Sequence, residues 1–134
     1  MPNWMKSTLE KRDPIIVSID TLPFVESSNV HGHPEKFQLL AVDPDCGFYV
    51  ERFVNPAGAA LAKHSHSCAH GIYVLSGKLK ADGKYYGPGT FIWLPQGSEM
   101  DHGSAEDEGV EYLFIWTGIS IKRGFDINMV DEAD

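Results

Sequence analysis

Residues 58–77 read Gly58-Ala-Ala-Leu-Ala-Lys-His64-Ser-His66-Ser-Cys-Ala-His70-Gly-Ile-Tyr-Val-Leu-Ser-Gly77. His64 and His66 are two apart, so on an extended strand their rings share one face, and His70 keeps the same parity. Ile72 and Val74 follow His70 on that parity toward a barrel interior. Neutral imidazoles are poor apolar packing, and three on one face call for a shared partner. A divalent transition metal is such a partner, because it takes imidazole nitrogen readily. A His-x-His pair can equally be an exposed surface pair. His31-Gly-His33-Pro-Glu has the same spacing, but Gly32 and Pro34 mark a loop, and this second pair reads as surface.

Outward from this stretch, thirteen glycines and eight prolines divide the chain at short intervals. Between them lie runs rich in β-branched and aromatic residues. The pattern predicts strands over 15–18, 36–42, 47–54, 60–64, 71–75, 78–80, 84–86, 90–94 and 110–116, with another inside 120–128. Asp43-Pro-Asp, Asn55-Pro-Ala-Gly, Ser76-Gly, Asp82-Gly, Gly87-Pro-Gly and Gly118 supply the turns. The best helical stretch is short and charged, over 7–12. Many short strands with Gly/Pro turns predict an all-β fold, an antiparallel sandwich or barrel with room for a ligand at its mouth. A chain of 134 residues fits one domain. Weak patterning makes residues 1–30 an N-terminal arm that adds strands to a partner subunit. Residues 31–130 form the barrel and 131–134 an acidic tail.

The net charge of −8 repels polyanions and argues against nucleic-acid binding. Part of the acidity is local, in Glu106-Asp107-Glu108. No apolar run approaches the ~18 residues of a membrane span, and no signal peptide is evident. Cys46 and Cys68 are too few for a disulfide framework and suit a reducing cytoplasm as free thiols.

The spacing of Gly58, His64, His66, His70 and Gly77 resembles the first motif of the cupin superfamily, with His70 where glutamate is usual. Gly89, Pro95 and Gly97 resemble the opening of its second motif. That motif places its last histidine three residues after the second glycine. Here Met100 holds that slot and His102 follows two residues later. The resemblance spans about Gly58 to Trp116 and implies a single-domain jelly-roll barrel, a double-stranded β-helix. Together with His102-Gly and Gly109-Val-Glu-Tyr-Leu-Phe-Ile-Trp-Thr-Gly, the stretch is similar to the acetylacetone-cleaving and 2,4′-dihydroxyacetophenone dioxygenases. It is also similar to the cupin domain of zinc-binding anti-sigma factors.

The resemblance implies one divalent metal on His64, His66 and His102, with His70 as fourth ligand. Fe(II) is favoured, while Zn, Mn or Ni suit the same imidazoles. Replacing glutamate by His70 removes one negative charge from the ligand set and leaves the metal a stronger Lewis acid. The implied activity is an Fe(II) dioxygenase that cleaves a C–C bond of a small diketone or hydroxyketone, in a homodimer or higher homo-oligomer. The alternatives are a non-catalytic, zinc-sensor-like cupin and a Zn or Mn Lewis-acid isomerase or hydrolase.

Glu99 and Asp101 flank His102 and are candidates to orient a ligand imidazole or act in catalysis, against a plain reading as solvated loop residues. Cys68 has the opposite parity to His66 and His70 and is expected to face outward. Met100 reads as wall packing. Tyr73, Phe91, Trp93, Tyr112, Phe114 and Trp116 supply aromatic walls, with inner and outer faces unassigned. Arg52 and Lys63 are candidates to orient an anionic substrate, against a plain reading as solvated, and Glu111 reads as facing either way.

Overall fold

A computed structural model describes residues 2–28, 32–59, 61–65 and 68–117, and for 61–65 the backbone alone. One helix, α1 (Asn3–Glu10), precedes ten strands. These are β1 (Val25–Ser28), β2 (Pro34–Asp43), β3 (Phe48–Asn55), β4 (Leu61–Ser65) and β5 (His70–Gly77). They continue as β6 (Leu79–Ala81), β7 (Lys84–Tyr86), β8 (Phe91–Leu94), β9 (Glu99–Ser104) and β10 (Val110–Trp116). All described strand pairs are antiparallel. The strands form a six-stranded sheet ordered β1-β2-β3-β10-β5-β8 and a four-stranded sheet ordered β4-β9-β6-β7. This is the two-sheet arrangement of a jelly roll.

The expected strands from 36–42 to 110–116 all form, with ends shifted by one or two residues at most positions. Three differences have physical reasons. Residues 15–18 carry strand-forming side chains but have no partner strand among the described residues: Ile15 packs against the core while Ile16 is 87% exposed. Strand β9 is not among the expected strands, since Glu-Met-Asp-His-Gly-Ser has little strand propensity. Pairing with β4 on one side and β6 on the other makes it a strand. The helix begins at Asn3, after Pro2, because Met5 and Leu9, four apart, pack onto the core. The strand expected within 120–128 and the tail at 131–134 lie outside the described residues.

Alternation places one face of each strand inside. On β3, Tyr49, Glu51, Phe53 and Asn55 are buried, and on β10 Val110, Tyr112, Phe114 and Trp116. Register aligns these residues in rows across the large sheet. The first row is Val42, Tyr49, Trp116, His70 and Leu94. The second is Leu39, Glu51, Phe114, Ile72 and Ile92. The third is Phe37, Phe53, Tyr112 and Val74. The core is thus an aromatic wall on β3 and β10, and its first row ends at His70 on β5 and Leu94 on β8.

Gly77, which closes the histidine stretch, has φ +80°, and a Cβ there would lie 2.0 Å from the Gly109 carbonyl oxygen. A Cβ on Gly109 would in turn lie 2.7 Å from the Asn55 carbonyl oxygen. Three strand ends therefore meet backbone to backbone, and any side chain at either glycine would force them apart.

Segment 18–24 is tied to the outer face of the large sheet. The Gln38 amide donates to the carbonyls of Ile19 (2.8 Å) and Leu22 (2.7 Å), while its oxygen accepts from Arg52 (2.8 Å). Arg52 also bridges to Glu111 at 2.7 Å, and the Phe24 ring lies beneath Lys36 and Arg52. Arg52 and Glu111 are thus paired with each other on the outer face. Strand β1, from the expected arm, pairs with the chain's own β2.

Candidate metal centre and its aromatic wall

His70 opens β5 and is 2% exposed, and His102, on β9, is 4% exposed. They come from opposite sheets and meet the same ring: Phe114 stacks with His70 at 5.3 Å and meets His102 edge-on at 5.9 Å. Trp116 lies over His70 at 5.0 Å with ring planes 21° apart, and Phe114 and Trp116 stack at 4.3 Å, nearly parallel. The inner wall thus brings two of the four expected ligands together around one phenyl ring.

The His70 imidazole has a defined hydrogen-bond partner. Its Nδ1 lies 3.2 Å from the Cys68 carbonyl oxygen. A carbonyl only accepts, so Nδ1 carries the proton, and in the neutral ring Nε2 carries the lone pair. That is the tautomer a metal-binding histidine needs, oriented by its other nitrogen. Thr117 donates from both N–H (3.1 Å) and Oγ1 (2.8 Å) to the Ala69 carbonyl, fixing the backbone just before His70 to the end of β10.

The His64 backbone pairs with that of Met100, across β4 and β9, two residues along from His102. His66 and the side chain of His64 lie outside what the structure describes, and so does His31. Among the described side chains no three His, Cys, Asp or Glu groups converge as a metal site. The donors in view fit a divalent transition metal by their chemistry: buried imidazoles, one held in the ligating tautomer, in a wall that excludes water.

The remaining candidates fall elsewhere. Glu99 is exposed. Asp101 accepts the Asp82 N–H at the β6–β7 turn, which binds its carboxylate to hairpin geometry. Met100 packs against the core, as its reading as wall predicts. Cys68 also packs against the core, contrary to the outward expectation. It precedes β5, so strand parity does not govern its direction. Tyr73, Phe91 and Trp93 face outward and are 39%, 55% and 48% exposed. His33 lies in the connection before β2 and is partly buried. Two members of the acidic run are paired: Glu106 binds Lys80 and accepts from the Tyr85 hydroxyl at 2.8 Å, and Asp107 faces Lys78 at 3.5 Å.

Sequence reading missed Glu51, a carboxylate on the inner face of β3 that accepts a hydrogen bond from Trp116 Nε1 at 3.2 Å. The signal was available: Glu51 shares strand parity with Tyr49 and Phe53, two aromatic core residues.

The two-sheet jelly roll with histidines on its inner walls defines a cupin. Residues 12–120 match the family described as the ChrR Cupin-like domain, and the chain belongs to that family. No curated protein matches the chain. Among solved structures, it is similar to a cupin-like protein of unknown function from Ralstonia eutropha, with 24% identity and a TM-score of 0.66 over 79% of this chain and 68% of that one. It is also similar to a candidate acetylacetone dioxygenase from Methylibium petroleiphilum, with 18% identity and a TM-score of 0.67 over 79% and 78%. The anti-sigma factor ChrR of Rhodobacter sphaeroides, solved in complex with SigE, shows 15% identity and a TM-score of 0.60 over 75% of this chain and 52% of ChrR. These likenesses establish the fold. Among the described residues no helix is long and apolar enough to cross a membrane.

Proposed function

We propose that this cupin is a metal-dependent dioxygenase that cleaves a C–C bond of a small diketone or hydroxyketone. His64, His66 and His102 hold one divalent metal, Fe(II) by preference, and His70 is a fourth ligand. The observation that carries this reading is the pair of buried imidazoles, His70 and His102, on either side of the Phe114 ring. Bound there, Fe(II) supplies a Lewis acid and redox chemistry toward dioxygen. The chain's own residues bind and dry the site. Phe114 and Trp116 exclude water, and the Cys68 carbonyl holds the His70 proton on Nδ1. Both oxygen atoms end in the two cleavage products, so the reaction needs no external reductant.

The test is anaerobic loading of metal-free protein with Fe(II), followed by oxygen uptake with a panel of diketones and hydroxyketones. The reading expects one O₂ consumed per substrate cleaved. Absence of uptake with every metal and substrate in the panel overturns it.

A second reading has its own support in the family match, whose description carries the name of ChrR. In it the site is a closed, non-catalytic zinc centre. Tetrahedral zinc with four protein ligands and no turnover favours that reading. Turnover that needs Zn or Mn but no oxygen favours Lewis-acid isomerase or hydrolase chemistry instead.

A further inference from the structure

Among the described residues Glu51 is the only carboxylate that is buried, at 1% exposed. It stands on the inner face of β3, directly across from Phe114 in the strand register. Its Oε1 accepts from Trp116 Nε1, and the face of that same indole lies on His70. Phe114, the residue opposite Glu51, contacts both His70 and His102. The Trp116 indole thus touches both the carboxylate and His70, and Phe114, the register partner of Glu51, touches both histidines.

The ligand set contains only neutral imidazoles, because His70 stands where the motif usually has glutamate. A divalent ion on such ligands keeps its full charge inside an aromatic wall of low dielectric. There, a carboxylate acts over a distance that water would screen, since the Coulomb interaction falls only as the inverse of separation and of dielectric. We propose that Glu51 is the charge partner of the metal centre. From the neighbouring sheet rows it supplies, through space, the negative charge missing from the ligand slot at His70. It also holds Trp116 against the His70 ring. Glu51 is thus a positioning residue, and this role rests on the metal reading above.

The experiment measures Zn(II) affinity of the full-length, metal-stripped protein by competition with a chromophoric chelator, comparing wild type with Glu51→Gln and Trp116→Phe. Gln keeps an oxygen acceptor for the indole and nearly the same volume, removes the charge and turns the second oxygen into an NH2 donor. The expected result is about tenfold to 100-fold weaker zinc binding by Glu51→Gln with an unfolding midpoint close to wild type. Trp116→Phe, which keeps the charge, loses less affinity than Glu51→Gln. Equal zinc affinity in wild type and Glu51→Gln overturns the charge role and leaves the metal reading standing. A wild-type protein that takes up no metal overturns both.

A measurement on the unaltered protein guards against a Glu51→Gln variant that does not fold. Zinc addition to protein with isotope-labelled glutamate should shift one buried carboxylate stretch in the infrared difference spectrum. A spectrum without that shift overturns the proposal.

Discussion

The Trp116 indole and the His70 imidazole stack with centroids 5.0 Å apart, a contact made by direct cross-strand pairing of β10 with β5. The indole is fully buried and also stacks on Phe114. Trp116→Ala should therefore cost about 3–5 kcal/mol, from lost burial and an unfilled cavity. Denaturant unfolding measures it. Phe114→Ala should cost a similar amount, and the double variant should differ from the sum, since the two rings touch.

Removing His102 should remove the metal. His102→Ala, purified without an affinity tag, should show about a tenth or less of the wild-type metal content by elemental analysis, with its far-ultraviolet circular dichroism unchanged. His70→Ala should retain metal but bind it about tenfold or more weakly. Unchanged affinity in His70→Ala would exclude that imidazole from the ligand set.

Gly77→Ala and Gly83→Ala form a matched pair. Both glycines have positive φ, +80° and +76°, so an alanine is strained at either. A Cβ at Gly83 meets open space, while at Gly77 it strikes the Gly109 carbonyl. Gly83→Ala should cost about 1–2 kcal/mol. Gly77→Ala should cost more than about 3 kcal/mol or prevent folding, because backbone must move. Equal midpoints in urea would refute the contact.

Glu106 should shape the acid side of the stability profile. The hydrogen bond from Lys80, with help from its own backbone N–H and the Tyr85 hydroxyl, lowers its pKa from 4.5 to about 2. The folded value lies below the unfolded one, so the stabilisation is complete above about pH 4.5 and is lost as pH falls toward 2. Glu106→Gln should flatten the stability–pH curve across that window and leave the neutral region nearly parallel. Added salt should shrink the difference, since the group is exposed. Tyr85 works at the other end. Its pKa is raised by hydrogen bonding to Glu106, so its contribution holds below pH 10 and is lost as pH climbs through the raised value.

Strands with β-branched or aromatic residues between Gly/Pro turns were legible from sequence, and 84–86 and 110–116 match β7 and β10 end to end. Strand β9 was not, because its Glu, Asp, Gly and Ser residues have no intrinsic preference for the extended state. Partners on both sides hold it there. The inner face of β10 was also hidden. Leu113 and Ile115 on one parity are as apolar as Tyr112, Phe114 and Trp116 on the other, so hydrophobicity could not choose between faces. The choice is visible only in register with β3 and β5.

The site was legible as a list of histidines, not as an environment. Spacing marks His70 and the resemblance to the cupin dioxygenases marks His102, and the structure buries both. It does not reveal that a single phenyl ring lies between them, since Phe114 comes from a third strand. Glu51 escaped notice because charged residues are ordinarily read as exposed. Its neighbour Arg52, read as solvated, departs from the rule as well: on the opposite face it is 12% exposed and held by Gln38 and Glu111.

Strand β10 is central in the large sheet, flanked by β3 and β5, yet it follows both in the chain. During synthesis the histidine stretch leaves the ribosome well before residues 110–116. Until β10 arrives, β3 and β5 have no common neighbour, and His70 has neither Trp116 nor Phe114 beside it. The nascent protein therefore presents His70 to solvent first and encloses it last. Burial of this histidine thus waits on a non-local pairing that a chain made from its N-terminus can complete only late.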